Sequence, residues 1–252
     1  MQTKSPVPAL ERSLDILELL EKSPKGLSFT EIYTKLNIPK PSVLRILNIL
    51  HQRRYVRLEN RSYKLGLRLL TFGLNVQDSL DLREIARPFM EELLKETGET
   101  VELTIFDEDS LLVVDKLESF NSIHIFAKVG VRFMYQFLDV PGKIALAFLP
   151  EEKRENWFNA FRLRKPGPDT EQLIRKFRVE LPKLKREKIN TGVGEKRPEV
   201  FRMASPIFDH KGELAGVVDI AGPSFRLKEK NNFKSSVLKC AVDISKKIGF
   251  AE

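Results

Sequence analysis

Between residues 28 and 65 the apolar positions change their period twice, and each change predicts a new element. Over 28–36, Phe29, Ile32, Tyr33 and Leu36 fall on one helical face, opened by a capping box in which Ser28 and Glu31 satisfy each other's amides. Asn37, Ile38 and Pro39 break the period. It resumes at Lys40-Pro41, where proline suits a first helical turn, and runs to about Gln52. Val43, Ile46, Leu47 and Leu50 make the buried stripe of this second helix, leaving Ser42, Arg45, Asn48 and Gln52 on the opposite face. Two short strands follow, 55–58 and 62–65, turning at Glu59-Asn60-Arg61. Upstream, Leu10, Leu14, Leu17 and Leu20, widened by Ile16 and Leu19, predict a helix from Pro8 that ends at Pro24-Lys25-Gly26. Three helices and a hairpin make a winged helix-turn-helix over residues 1–66.

Beyond it, Leu67, Leu70 and Leu74, with Leu80, predict a connecting helix over 67–80 whose leucines are free to pair with a second subunit. A helix at 81–97 carries Leu82, Ile85, Phe89, Leu93 and Leu94 and closes at Gly98. Strands are expected at 100–106, 111–117, 122–129, 200–208 and 214–220. Helices are expected at 143–148, 151–161, 171–188 and 233–248. The fold class is α+β, with 81–252 forming an antiparallel meander carrying helices on one face.

Charge sharpens the picture once it is placed along the chain. The net charge is +8, yet residues 1–75 hold 13 Lys or Arg against 6 Asp or Glu, leaving 30 against 29 for the remainder. That asymmetry is the footprint of a nucleic-acid-binding segment. Arg45 has the fork to read guanine, Asn48 the amide to read adenine, and Ser42 the reach for a phosphate or base. Arg57, Arg61 and Lys64 on the wing, with Arg53 and Arg54 before it, suit phosphates. The full set expected to face DNA is Ser28, Lys40, Pro41, Ser42, Arg45, Asn48, Arg53, Arg54, Arg57, Arg61 and Lys64. A sequence-neutral or architectural binder is the alternative, and it needs a basic surface without a discriminating helix face.

Other classes find little support. Cys240 is the lone cysteine, and His51, His124 and His210 are scattered, so neither a disulfide nor a metal-ligand spacing is present. Gly192-x-Gly194 lacks the remainder of a dinucleotide fingerprint, and no nucleophile elbow occurs. No cofactor is expected. No apolar run is long enough to span a bilayer and no signal-peptide pattern is present, so a cytoplasmic location is expected.

Several segments resemble the IclR (isocitrate lyase regulator) family of transcriptional regulators: VPALERSLDILELL at 7–20, GLSFTEIYTKLNIPKPSVLRILNIL at 26–50, YKLGLRLLTFG at 63–73, DLREIARPFMEELLKETGETVELTIF at 81–106, PGKIALAFLP at 141–150 and MASPIFDHKGELAGVVDIAGP at 203–223. The resemblance spans nearly the whole chain. It implies a winged helix that dimerises on a palindromic operator, in a protein that is often a dimer or a dimer of dimers. It also implies a GAF-like C-terminal domain that binds a small metabolite, in a protein that more often represses than activates.

The resemblance places the effector site at Tyr135, Asp139, Val140, Pro141, Gly142, Lys143, Gly192, Glu195, Arg202, Ala204, Asp219 and Ala221. Strand alternation puts Arg202 and Ala204 on one face, and Val217, Asp219 and Ala221 on one face of the partner strand. Arg202 is expected to hold a carboxylate or phosphate of an organic or sugar acid, with Asp219 accepting from a ligand hydroxyl or restraining Arg202 when the site is empty. The competing reading is a structural ion pair. Phe137 and Asp139 stand where the family often has a His-x-Thr pattern, and Glu199 stands where a glycine is usual. Together with Arg202 and Asp219, these departures point to an atypical ligand or altered sensing.

Overall fold

Two interruptions of the helical period, at Asn37 and after Gln52, shape the N-terminal unit. The computed structural model describes residues 7–78, 81–107, 110–125, 128–133, 139–194, 198–228 and 232–251, and the chain divides into compact units at 1–79 and 80–252. In the first unit α1 (Pro8–Glu21), α2 (Phe29–Leu36) and α3 (Lys40–Gln52) close on Ile16, Leu20, Ile32, Val43, Leu47 and Val56. The capping box forms: Ser28 Oγ accepts from the Glu31 amide at 3.3 Å, and Glu31 Oε2 accepts from the Ser28 amide at 2.8 Å. Asn37 ends α2 with φ 51°, a left-handed conformation that asparagine tolerates better than most residues.

The wing is β1 (Val56–Glu59) paired antiparallel with β2 (Ser62–Leu65). Glu59 lies opposite Ser62, so only Asn60 and Arg61 turn the corner. Both have positive φ (49° and 63°), as a type I′ hairpin requires. A third member was not read from the sequence: Leu27 and Tyr63 exchange both backbone hydrogen bonds, at 3.0 and 2.7 Å. Gly66 closes the wing by donating its amide to the Tyr55 carbonyl at 2.7 Å.

The expected stripe on α1 holds only in its second half. Ile16 and Leu20 are buried, whereas Leu10 and Leu14 are 56% and 50% exposed, because the apolar side chains of α2, α3 and the wing meet only the C-terminal turns. In α4 (Arg68–Asp78), Leu70 and Leu74 are also exposed, as is Leu67 just before it, while Leu80 lies outside the described residues.

The second unit begins with α5 (Asp81–Thr97), whose fully buried apolar face is Ala86, Met90, Leu93 and Leu94, so Ile85 and Phe89 sit at its edge. Its sheet contains β3 (Thr100–Asp107), β4 (Ser110–Leu117), β5 (Arg132–Phe133), β6 (Asn190–Val193), β7 (Val200–Phe208) and β8 (Leu214–Pro223), in the order β5-β4-β3-β8-β7-β6 with every pairing antiparallel. Helices cover both faces, where one was expected. Val101, Leu103, Phe201, Met203, Val218 and Ile220 meet α5 and α9 (Phe233–Lys247). Ala204, Val217 and Leu111 meet α6 (Val140–Phe148), which packs with α7 (Glu151–Arg164) and α8 (Pro168–Glu187). The charged composition of α7 and α8 concealed a second core, which includes Trp157, Phe158, Phe161 and Phe177.

The strand expected at 122–129 is not formed by its described residues. Side chains take up carbonyls a strand would use: Thr100 Oγ1 donates to Ile125 O at 2.8 Å and Arg226 donates to Ile123 O. The short β5 takes the sheet edge instead. β6 was not foreseen, nor was a 3₁₀ turn at Ser224–Lys228.

A β-carbon at Gly66 would lie 2.1 Å from the Arg54 carbonyl oxygen, a clash only backbone movement relieves. Gly66→Ala should therefore destabilise the N-terminal unit by about 2–3 kcal/mol, read as an earlier urea transition for that unit.

Candidate DNA-reading surface and effector site

Because α3 is held by Val43, Ile46 and Leu47, the opposite side of the helix is presented to solvent. Lys40, Pro41, Arg45, Asn48 and Gln52 are exposed and Ser42 is half-buried. Arg45 and Asn48 have no hydrogen-bond or ion-pair partner among the described residues, so their forked donors and amide are available to base edges. Ser42 is tied to α1, since its hydroxyl accepts from Arg12 at 3.2 Å, a contact invisible in the linear pattern. Lys40 rests over the Tyr33 ring at 4.7 Å with its ammonium still exposed. Ser28 departs from its expected role as a DNA contact. Its hydroxyl and amide both engage Glu31, and that bonding holds the Glu31 carboxyl below its ordinary range.

On the wing the cations are unequal. Arg57 and Lys64 both pair with Glu59, at 2.8 and 3.1 Å, so the charge they offer a phosphate is partly neutralised. Arg61 stands exposed at the turn without an ion-pair partner among the described residues, and Arg53 and Arg54 are exposed just after α3. The exposed cations near α3 and the wing tip without an ion-pair partner among the described residues are therefore Lys40, Arg45, Arg53, Arg54 and Arg61.

In the second unit, strand register assembles the site. One row across the sheet reads Glu102, Asp219, Ala204, Asn190, and the next reads Thr100, Ala221, Arg202, Gly192. Alternation turns these positions away from the α5–α9 core, whose contributions from β7 and β8 are Phe201, Met203, Val218 and Ile220. Arg202 then meets two carboxylates, with one terminal nitrogen 2.5 Å from Asp219 Oδ2 and the other 2.8 Å from Glu102 Oε1. The Glu102 and Asp219 side chains are 2% and 0% exposed, so water screens neither contact. Both terminal nitrogens of Arg202 are thus engaged by protein carboxyls.

Glu102 was not singled out from the sequence. Its signal was present, because Thr100, Glu102 and Thr104 alternate with Val101, Leu103 and Ile105, marking a polar face on a strand buried on both sides.

α6 starts at Val140, three residues before its expected beginning. Asp139 is its N-cap and accepts from the Gly142 amide at 3.1 Å, so Val140, Pro141 and Gly142 form a buried first turn. Asn190 Nδ2 ties β6 to this turn through Val140 O at 3.3 Å. Lys143 pairs with Glu180 of α8 at 3.0 Å. Glu199 is exposed ahead of β7. Tyr135, Phe137 and Glu195 lie outside the described residues.

Burial opposes the charge on Arg202, but Asp219 and Glu102 outweigh it and raise the guanidinium's proton affinity. For Asp219, burial is the largest influence. With the nearby carboxylates of Glu102 and Asp139 it overcomes the pull of Arg202, so the Asp219 carboxyl is pushed well above the ordinary range. The folded protein thus binds this proton more tightly than the unfolded chain does. Stability associated with it is present at low pH and is lost as pH rises through the folded value, by up to about 1.4 kcal/mol per unit. Asp219→Asn should flatten that slope in urea titrations between about pH 5 and 8. Arg202→Ala, which strands two buried carboxylates, should cost about 3–5 kcal/mol.

The known proteins most like this chain agree with both halves of the description. A family model described as the IclR helix-turn-helix domain matches residues 9–59, and one described as the bacterial transcriptional regulator IclR C-terminal matches residues 74–246. The regulator KipR of Bacillus subtilis is 29% identical over 95% of this chain and 96% of its own length. The repressor AllR of Escherichia coli is 28% identical over 96% and 90%. Among solved structures, the Thermotoga maritima IclR superposes with a TM-score of 0.74 at 26% identity, covering 97% of this chain and all of its own. A family member from Brucella abortus gives 0.78 at 23% identity, covering 98% and 95%, and shows the same fold. Relatives of this kind are regulators and not enzymes, and the chain belongs to the IclR family of DNA-binding transcriptional regulators.

Proposed function

We propose that this protein is a dimeric repressor that reads a palindromic operator through α3 and is controlled by a small metabolite bound in its C-terminal unit. The observation that carries the DNA half is the exposure of Arg45 and Asn48 on a helix whose other face is locked into a closed core. A sequence-neutral binder has no use for that pairing of a fork and an amide at helical spacing. The sign of regulation follows the relative named as a repressor. A cytoplasmic location fits such a protein, and no described helix is long and apolar enough to cross a membrane.

Self-association is supported by apolar surface that the N-terminal unit leaves uncovered. Leu70 and Leu74 of α4, together with Leu67, are 59%, 47% and 73% exposed, a stripe more costly to hydrate than a surface helix usually carries. A second copy would cover it and set two recognition helices about 34 Å apart, the spacing of successive major grooves. The effector would act by biasing that spacing through residues 67–80, so a modest change in the dimer suffices to abolish binding.

The two roles on the DNA face separate by measurement. Arg45→Ala should cost about 1–3 kcal/mol on the operator and relax base preference, while Arg61→Ala should weaken operator and random DNA alike and reduce the salt slope by about one. Identical behaviour of the two variants in competition binding would refute the assignment. Leu70→Lys should shift the protein from dimer towards monomer in sedimentation and weaken operator binding far more than it perturbs the fold.

A further inference from the structure

Among the described residues of the C-terminal unit, the buried carboxylates Glu99 and Asp115 each have arginine to themselves, and Glu102 and Asp219 do not. Glu99 has Arg226 at 2.8 Å. Asp115 has Arg87 at 2.9 Å and Arg83 at 3.5 Å. Glu102 and Asp219, by contrast, share the single guanidinium of Arg202, with the Asp139 carboxylate near enough to act on both Arg202 and Asp219. With every carboxyl ionised the cluster would carry an excess of negative charge, and the proton that Asp219 holds relieves it.

A second observation points the same way. Asp219 Oδ2 takes the arginine, but its other oxygen, Oδ1, is fully buried and no described residue donates to it. Its side chain is flanked across the strands by Ala204 and Glu102, and neither side chain has a donor to give. Around Arg202, the register neighbours Gly192 and Ala221 are equally small or apolar. Buried acceptors in folded proteins nearly always find a donor, and since none of the described residues supplies one, this oxygen is open to the carboxyl's own proton or to a donor from outside the chain.

We infer that the effector of this protein presents a hydroxyl or ammonium donor to Asp219 Oδ1, and that it is a polyol or an amine and not an acid seeking Arg202. The inference rests on the effector-binding reading above and reverses only its expected ligand class. An incoming carboxylate would have to displace Glu102 or Asp219 from Arg202 and add another negative charge to a site already in excess. A donor completes the unfilled oxygen and leaves the ion pairs in place. An ammonium would also offset the excess charge, whereas a hydroxyl would only complete the bonding, so the two sources differ in affinity and not in the atom they address.

The test uses the full chain with its operator, in three arms: glycerol, xylitol and sorbitol; ethanolamine and putrescine; acetate, glycolate and benzoate. Thermal shift finds ligands of the folded state, and titration calorimetry with operator release gives affinity and effect. A compound of the first or second arm should bind and release operator. Asp219→Asn should weaken it about tenfold or more. Glu102→Gln supplies a second variant, since it removes the excess charge and loosens Arg202. It should gain measurable binding of an acid from the third arm that the native protein ignores. Should the native protein bind only an acid, and lose it in Arg202→Lys, the inference fails while the effector reading stands. Should no arm bind and Glu102→Gln acquire no ligand, the inference and the effector reading fail together.

Discussion

A charged side chain withdrawn from water must find its counter-charge within the protein, and in the C-terminal unit that requirement converges on Arg202. Its guanidinium spans β3, β7 and β8 by holding Glu102 and Asp219 at once. A one-residue slip of β8 would carry Asp219 to the α5–α9 face and leave the arginine with one partner in place of two. The cluster thus helps select the register that also brings Gly192, Ala204 and Ala221 beside it. The residues of the candidate site are therefore also residues that order the sheet.

The N-terminal unit obeys a simpler rule. Its core is small, so each helix has little apolar surface to give, and the capping box at Ser28, the turn at Asn60-Arg61 and the tight approach at Gly66 provide local order where packing alone is thin. With α3 fixed from behind, Arg45 and Asn48 are carried on a rigid support, which base recognition needs. Apolar residues on α4 are left exposed, and in the dimer proposed above a second copy would cover them and turn one weak reading head into two at a defined spacing. Glu59 moderates the wing by pairing with Arg57 and Lys64, leaving Arg61 as the wing's least encumbered contact for phosphate.

The proposed control by a metabolite is a coupling of energies. Ligand binding at a cluster that also sets strand register can shift the balance of dimer arrangements provided the ligand prefers one of them. The buried, unevenly charged centre suits that task, because small changes in its protonation or occupancy are felt strongly where water is excluded.

The sequence by itself determined the elements whose signal is local. Helix caps, hydrophobic period and turn residues located α2, α3 and the wing closely, and the placement of charge marked the DNA-binding segment, because each depends on residues a few positions apart. Strand alternation also paired Arg202 with Ala204 and Asp219 with Ala221 correctly. Only the tertiary structure decided which charge meets which. Glu102 lies a hundred positions from Arg202, the strand expected at 122–129 yields to side chains of Thr100 and Arg226, and α7 and α8 bury an aromatic core behind charged surfaces. Those outcomes depend on contacts between distant segments, and the energy of a buried charge is set by its surroundings in space, which the linear order of residues does not contain.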